Sequence, residues 1–157
     1  MEQRISLITL GCRDIAAQTA FYRAMGWWQV DTPDGVVAFD LLSQVLGLYP
    51  LAALAADIGV AEDQLLHAGP DAPGPAKYAA ATLGYNAGNP AEVDQVMAAA
   101  AEAGAAVLKP AAEVFWGGYH GYFADPEGTV WEVAHNPFSP LGPNGAFCWN
   151  GFHANAT

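Results

Sequence analysis

Val114–Pro137, VFWGGYHGYFADPEGTVWEVAHNP, is the stretch whose reading decides the fold. Asp125-Pro126-Glu127-Gly128 carries the residues of a tight turn. Asp caps it, Pro presets φ at the next position, and Gly accepts the left-handed conformation that closes it. With Pro126–Gly128 as a three-residue loop and Gly128 forming a bulge, Asp125 pairs with Thr129 and Tyr122 faces Glu132. His120, Tyr122, Val130, Glu132 and Ala134 then share one face, because side chains alternate along a strand. A plain four-residue turn would send His120 and Tyr122 to the other face; the bulged register is the expectation.

Working outward, the chain has 157 residues, 53% hydrophobic and 13% charged, enough for one ordinary domain or two small modules sharing a sheet. No apolar run is long enough for a membrane span; Val45–Ala56 is short and interrupted by Gly47 and Pro50. Met1-Glu2-Gln3-Arg4 leads straight into a strand-like run, so no secretory signal and a cytoplasmic location are expected. A net charge of −11 argues against nucleic acid and anionic membranes as partners. Cys12 and Cys148 have no paired motif around them and read as small buried residues.

Ile5–Gly11 reads as a strand, Asp14 as the N-cap of a helix over Ile15–Met25, and Gly26 as its stop. Ile15, Phe21, Tyr22 and Met25 would form its buried stripe. Trp27–Asp31, Val36–Leu42 and Ser43–Tyr49 read as strands, with Pro33-Asp34-Gly35 a turn. Leu51–Ile58 predicts one or two helical turns acting as a cover, and Ala61–Gln64 a further one. Gly69–Ala76, GPDAPGPA, is a linker. The order then repeats: strand Ala79–Ala87, cap Asn89 with Pro90 at the first helical position, helix Glu92–Ala103, stop Gly104, a strand from Val107–Lys109, and the hairpin. Asp14 matches Asn89 and Gly26 matches Gly104, an internal duplication of β-α-β-β-β units.

The fold expected is therefore α+β: two β-α-β-β-β modules whose sheets form a curled mixed sheet around a central cavity, with helices outside. The first module covers residues 1–66, the linker 67–77, the second module 78–137, and a tail packed on the domain 138–157. A small ligand would occupy the cavity.

The first strand with Asp14 and AFYRAMGW, together with the C-terminal YFADPEGTVWEVAHNP, resembles the vicinal oxygen chelate superfamily over residues 4–137. That group includes glyoxalase I, extradiol dioxygenases, fosfomycin-resistance enzymes and bleomycin-resistance proteins. The resemblance implies a homodimer, and for the enzymes a divalent metal held by His and Glu from the first and last strands of each half. Carried over by position, those sites fall on Leu7, Gly47, Thr82 and Glu132. Only Glu132 can bind a metal, and neither residues 5–11 nor 79–87 contain His, Asp or Glu. No metal and no cofactor is expected, and a glyoxalase-type, isomerising or ring-cleaving metal mechanism is set aside.

Two readings stand for Glu132: an inert remnant of an ancestral metal site, or a cavity carboxylate that binds a ligand or acts as a base. His120 is either its partner or a satisfied structural residue, and Tyr122 either a hydroxyl handle or packing. Trp116, before Gly117-Gly118, is either an aromatic cavity wall or part of a bulged bend. Thr9 and Thr82 would point hydroxyls into the cavity. Trp27, Trp28 and Trp131 read as core or interface, and His67, His135 and His153 as loop or tail residues. Two functions follow. One is a metal-free binder of an aromatic or amphipathic small molecule, contacted by Thr9, Thr82, Trp116, Tyr122 and Glu132; the acidic charge would favour cationic compounds. The alternative is a metal-independent enzyme with Glu132 and His120 as an acid/base pair.

Overall fold

Asp14 and Asn89 begin their helices by the same device. The Asp14 carboxylate accepts the Ala17 N–H at 2.9 Å and the Asn89 carbonyl accepts the Glu92 N–H at 2.9 Å. These caps sit at equivalent points of a computed structural model that describes residues 5–32, 35–65, 78–149 and 151. The expected linker Gly69–Ala76, His67, His153, and Pro33 and Asp34 of the expected turn lie outside the described residues.

The chain divides into two compact units, Met1–Ala79 with Pro126–Gly128, and Ala80–Asp125 with Thr129–Thr157. The first contains β1 (Leu7–Cys12), α1 (Ile15–Ala24), β2 (Gln29–Val30), β3 (Val37–Asp40), β4 (Val45–Pro50), α2 (Leu51–Ile58) and a 3₁₀ turn, Glu62–Gln64. The second contains β5 (Leu83–Asn86), α3 (Pro90–Glu102), β6 (Ala106–Glu113), β7 (Tyr119–Ala124), β8 (Val130–His135) and a 3₁₀ turn, Pro143–Gly145. Each unit holds one four-stranded mixed sheet, in the orders β1-β4-β3-β2 and β5-β8-β7-β6. The two orders are the same permutation of strand positions, so the duplication read from caps and stops is a duplication of topology.

In the first unit α1 packs on β4, whose Leu46 and Leu48 are fully buried with Phe39 of β3. Burying each such side chain contributes about 1.5–3 kcal/mol. Tyr22 stacks on Trp27 at 5.0 Å and touches Phe39 at 5.5 Å. The α1 stripe differs from the expected one: Gln18 is fully buried beside Phe21 and Tyr22, whereas Ile15 and Met25 are half-exposed. On the opposite face Leu7, Thr9 and Gly11 align with Val45, Gly47 and Tyr49. A Cβ at Gly11 would meet Leu51 at 2.8 Å and Leu54 at 3.0 Å, so α2 does act as a cover, over the Gly11 end of that face.

In the second unit α3 is an alanine-rich helix whose Val93, Met97 and Ala100 recur along one stripe. They pack beneath the face of β7 and β8 that carries the buried Phe123, Trp131 and Val133. Glu92 reinforces the helix start, accepting the Gly88 N–H and the Tyr85 hydroxyl, both at 2.8 Å. The Tyr85 phenol is pushed above 10.0 by burial first and by its bond to Glu92 second.

Several strand limits are shorter than the sequence suggests. Residues 79–82 precede β5, and Trp27 and Trp28 precede β2. Trp28 is 88% exposed, so it is not a core residue of this chain. His135 ends β8, where its Nδ1 meets the Ala87 carbonyl at 3.1 Å, instead of lying in a loop. Cys12 is buried as expected but Cys148 is exposed, and no disulfide joins them. In the tail Ser139 is buried and donates to the Trp149 carbonyl, while Phe138 and Trp149 remain exposed. No described helix is long and apolar enough to cross a membrane.

Candidate functional site

The hairpin adopts the bulged register. Asp125 N–H donates to the Thr129 carbonyl at 3.0 Å, the Asp125 carboxylate accepts the Thr129 N–H at 2.9 Å, and Gly128 has φ of 87°. Tyr122 consequently pairs with Glu132 and His120 with Ala134. Alternation sends Gly121, Phe123, Trp131 and Val133 toward α3, and leaves His120, Tyr122, Glu132 and Ala134 half-buried on the other face.

On that face three polar groups converge. His120 Nδ1 lies 3.0 Å from Glu132 Oε1, and the Tyr122 hydroxyl donates to the same oxygen at 2.9 Å. The rings of His120 and Tyr122 meet edge to face at 5.2 Å. Among the described residues Glu132 Oε2 receives no hydrogen bond, and the Glu132 side chain is 32% exposed against 13% for His120. Burial, then the hydrogen bond to Glu132 and its charge, push the Tyr122 phenol above 10.0, which keeps it a donor.

A fourth group escaped the sequence reading. Lys109 Nζ on β6 lies 2.8 Å from His120 Nε2 and 5.9 Å from the centroid of the Tyr122 ring. The other expected residues lie on other elements. Thr82 is exposed and stands outside β5, and the residue of β5 opposite Glu132 is Gly84. Thr9 lies on β1 of the first unit, exposed and paired with Gly47. The pair Thr9 and Gly47 is thus the counterpart of Gly84 and Glu132.

Trp116 belongs to the turn between β6 and β7, closed by Gly117 N–H to Val114 O at 2.8 Å and Val114 N–H to Gly118 O at 3.0 Å. Its indole lies over Gly118, where an added Cβ would stand 1.8 Å from the ring. Gly118 directly precedes β7, so the indole lies against the chain at the start of that strand. The remaining contact of β7 is structural: the Tyr119 hydroxyl donates to Asp94 at 2.8 Å, and that bond is the first cause of a phenol held above 10.0.

A family model for the glyoxalase/bleomycin resistance protein/dioxygenase superfamily matches residues 4–133. The chain belongs to that superfamily. Among solved structures it is similar to a glyoxalase-related enzyme from Fulvimarina pelagi, with 30% identity, 96% of this chain and 100% of that one covered, and a TM-score of 0.81. A glyoxalase/bleomycin resistance protein/dioxygenase family enzyme from Burkholderia phytofirmans PsJN shares the fold at 20% identity, covering 83% and 96%, with a TM-score of 0.67. A lactoylglutathione lyase from Agrobacterium tumefaciens shares it at 24% identity, covering 87% and 96%, with a TM-score of 0.55. A comparison with curated protein sequences gives no match.

The four positions to which the resemblance carries metal ligands, Leu7, Gly47, Thr82 and Glu132, hold one carboxylate and one hydroxyl between them. Among the described residues no three of His, Cys, Asp and Glu gather as a metal-binding group. The first unit also has an open cleft of about 370 Å³ lined by Arg23, Gly26, Trp27, Trp28 and Gln29, which contains none of the expected site residues.

Proposed function

We propose that this superfamily member binds a small aromatic or amphipathic molecule without a resident metal, on the second module's face that carries His120, Tyr122 and Glu132. The observation that carries the reading is the state of Glu132. One oxygen takes two donors and is fixed, while the other takes no hydrogen bond among the described residues, in a side chain that is 32% exposed. A carboxylate oriented by its neighbours with one free oxygen is what a binding site needs for a specific polar contact. Ala134 beside it and Trp116 in the β6–β7 turn supply apolar surface.

The donor set does not fit a catalytic metal. A hydrocarbon at position 7 and a hydrogen at position 47 provide no ligand. His120 cannot readily add one, since its Nδ1 faces Glu132 and its Nε2 faces an ammonium that would repel a cation.

The acid/base reading keeps one observation in its favour, the 3.0 Å approach of His120 to Glu132, which is within proton-transfer reach. Against it, the outward nitrogen of His120 is already occupied by Lys109. Tryptophan-fluorescence titration of the purified protein against a panel of aromatic compounds tests the binding reading. Saturable binding, weakened at least about tenfold by Glu132→Gln, is expected. Turnover lost in Glu132→Gln with binding retained would make the protein an enzyme instead. Stoichiometric zinc, nickel, manganese or iron in the purified protein would overturn the metal-free part. The homodimer implied by the family is part of the same proposal and is checked by light scattering.

A further inference from the structure

Lys109 sits between two breaks in the β6–β7 ladder. Val107 pairs with Phe123, Lys109 with Tyr122, and Ala112 with His120. In an unbroken ladder Leu108 would stand opposite Tyr122, and its hydrocarbon would face the polar cluster. The extra residue after Val107 brings Lys109 there instead, which is how bulges re-aim side chains beside sites. Pro110, with no N–H to give a ladder, follows at once and suits the second break.

An ammonium only donates hydrogen bonds, so at 2.8 Å the Nε2 of His120 must accept. A neutral imidazole has one N–H, which then falls to Nδ1, 3.0 Å from Glu132 Oε1. The Tyr122 hydroxyl is the second donor to that oxygen.

We infer that Lys109 is a positioning residue. It holds His120 as the Nδ1–H tautomer, directs both donors onto Glu132 Oε1, and leaves Oε2 for a ligand. Its cation, one imidazole away from the carboxylate, also makes the cluster close to neutral. The ligand group the site selects is therefore a neutral hydrogen-bond donor, an alcohol or phenol, in preference to an organic cation. This ligand class rests on the binding reading above, whereas the tautomer assignment does not.

Nitrogen-15 NMR of the histidine rings in the full-length protein, in mildly alkaline buffer, tests the assignment. His120 is expected to carry its proton on Nδ1 in the wild type. It should do so still in Glu132→Gln, where Lys109 remains the anchor. In Glu132→Gln with Lys109→Met both tautomers should appear, and Lys109→Arg in the same background should restore the single form. The backbone amide spectrum establishes that each variant is folded. A proton on Nε2 in the wild type overturns the assignment at once. So does a double variant that keeps the Nδ1–H form.

For the ligand class, the same signals are followed during titration with 4-methylphenol and with benzylammonium. The phenol should perturb His120 at about fivefold lower concentration than the cation, and Lys109→Met should reverse the order. Equal or stronger perturbation by benzylammonium in the wild type overturns the class. Silence from both probes overturns the class together with the binding reading, and the tautomer result then stands by itself.

Discussion

Strands β4 and β8 hold the same station in their modules, each paired in parallel with the first strand of its unit. Gly47 lies beside Thr9 at that station in the first module, and Glu132 beside Gly84 in the second. Around Gly47 the nearest atoms are the Leu7 side chain and the Thr9 hydroxyl, and two leucines of α2 close one end of the face. Around Glu132 stand a phenol, an imidazole and an ammonium. One topology has thus been filled with hydrocarbon in one copy and with hydrogen-bonding groups in the other. The scaffold tolerates both because the opposite face of each sheet, against α1 or α3, supplies the core.

The largest test of that division compares the tyrosines Tyr22 and Tyr122. Tyr22 is 1% exposed and contacts Trp27, Phe21 and Phe39, so Tyr22→Ala should cost about 3–5 kcal/mol in urea unfolding. Tyr122→Phe should cost less, about 1.5–3 kcal/mol at most, because it removes one hydrogen bond to a carboxylate and no packing. Equal costs would erase the distinction between a core module and a site module.

Next come the glycines. A Cβ at Gly121 would lie 2.9 Å from Met97 Cε and 3.0 Å from the Ala111 nitrogen and the Lys109 carbonyl oxygen. Two of those atoms are backbone, so Gly121→Ala should cost about 1–3 kcal/mol and displace β6. Gly47→Ala meets nothing closer than 3.4 Å and should lose less in the same denaturation assay.

The caps should fall together. Asp14→Ala and Asn89→Ala are each expected to lower stability by about 1 kcal/mol, measured as a shift in denaturation midpoint. A clear inequality would show that the equivalence of the two helix starts is geometric and not energetic.

The smallest effect is in the alkaline limb. The Tyr122 phenol titrates above 10.0 in the folded protein, so the native state binds its proton more tightly than the unfolded chain does. That contribution to stability is complete below the unfolded value and disappears as pH rises through the folded one. Glu132→Gln removes the charge and leaves only a neutral amide oxygen to accept from Tyr122, which weakens the hydrogen-bond and charge causes of the shift. Phenolate absorbance should then develop at lower pH than in the wild type, and an unchanged titration would mean that burial acts alone.

The capping pair, the glycine stops and the hairpin register were legible in the sequence because each depends on a few adjacent residues. Asp125 and Gly128 specify a turn, the turn fixes the register, and the register brings His120, Tyr122 and Glu132 together. What was not legible depends on partners distant in the chain. β5 begins at Leu83, paired with Trp131, so Thr82 stands one residue ahead of the ladder. Lys109 was hidden for the related reason that a bulge changes which residue faces the site, and no local composition marks the break after Val107. Trp28, read as core or interface, is not in the core, because it precedes the two-residue β2 and is exposed.

The two thiols divide between the modules, Cys12 enclosed at the end of β1 and Cys148 open to reagent. A maleimide dye will consume the second quickly and reach the first only when the strand that holds it comes away. The slow phase of labelling is therefore a clock for the opening of the apolar module. It times that event in a protein whose polar module can be watched separately, through the phenol of Tyr122.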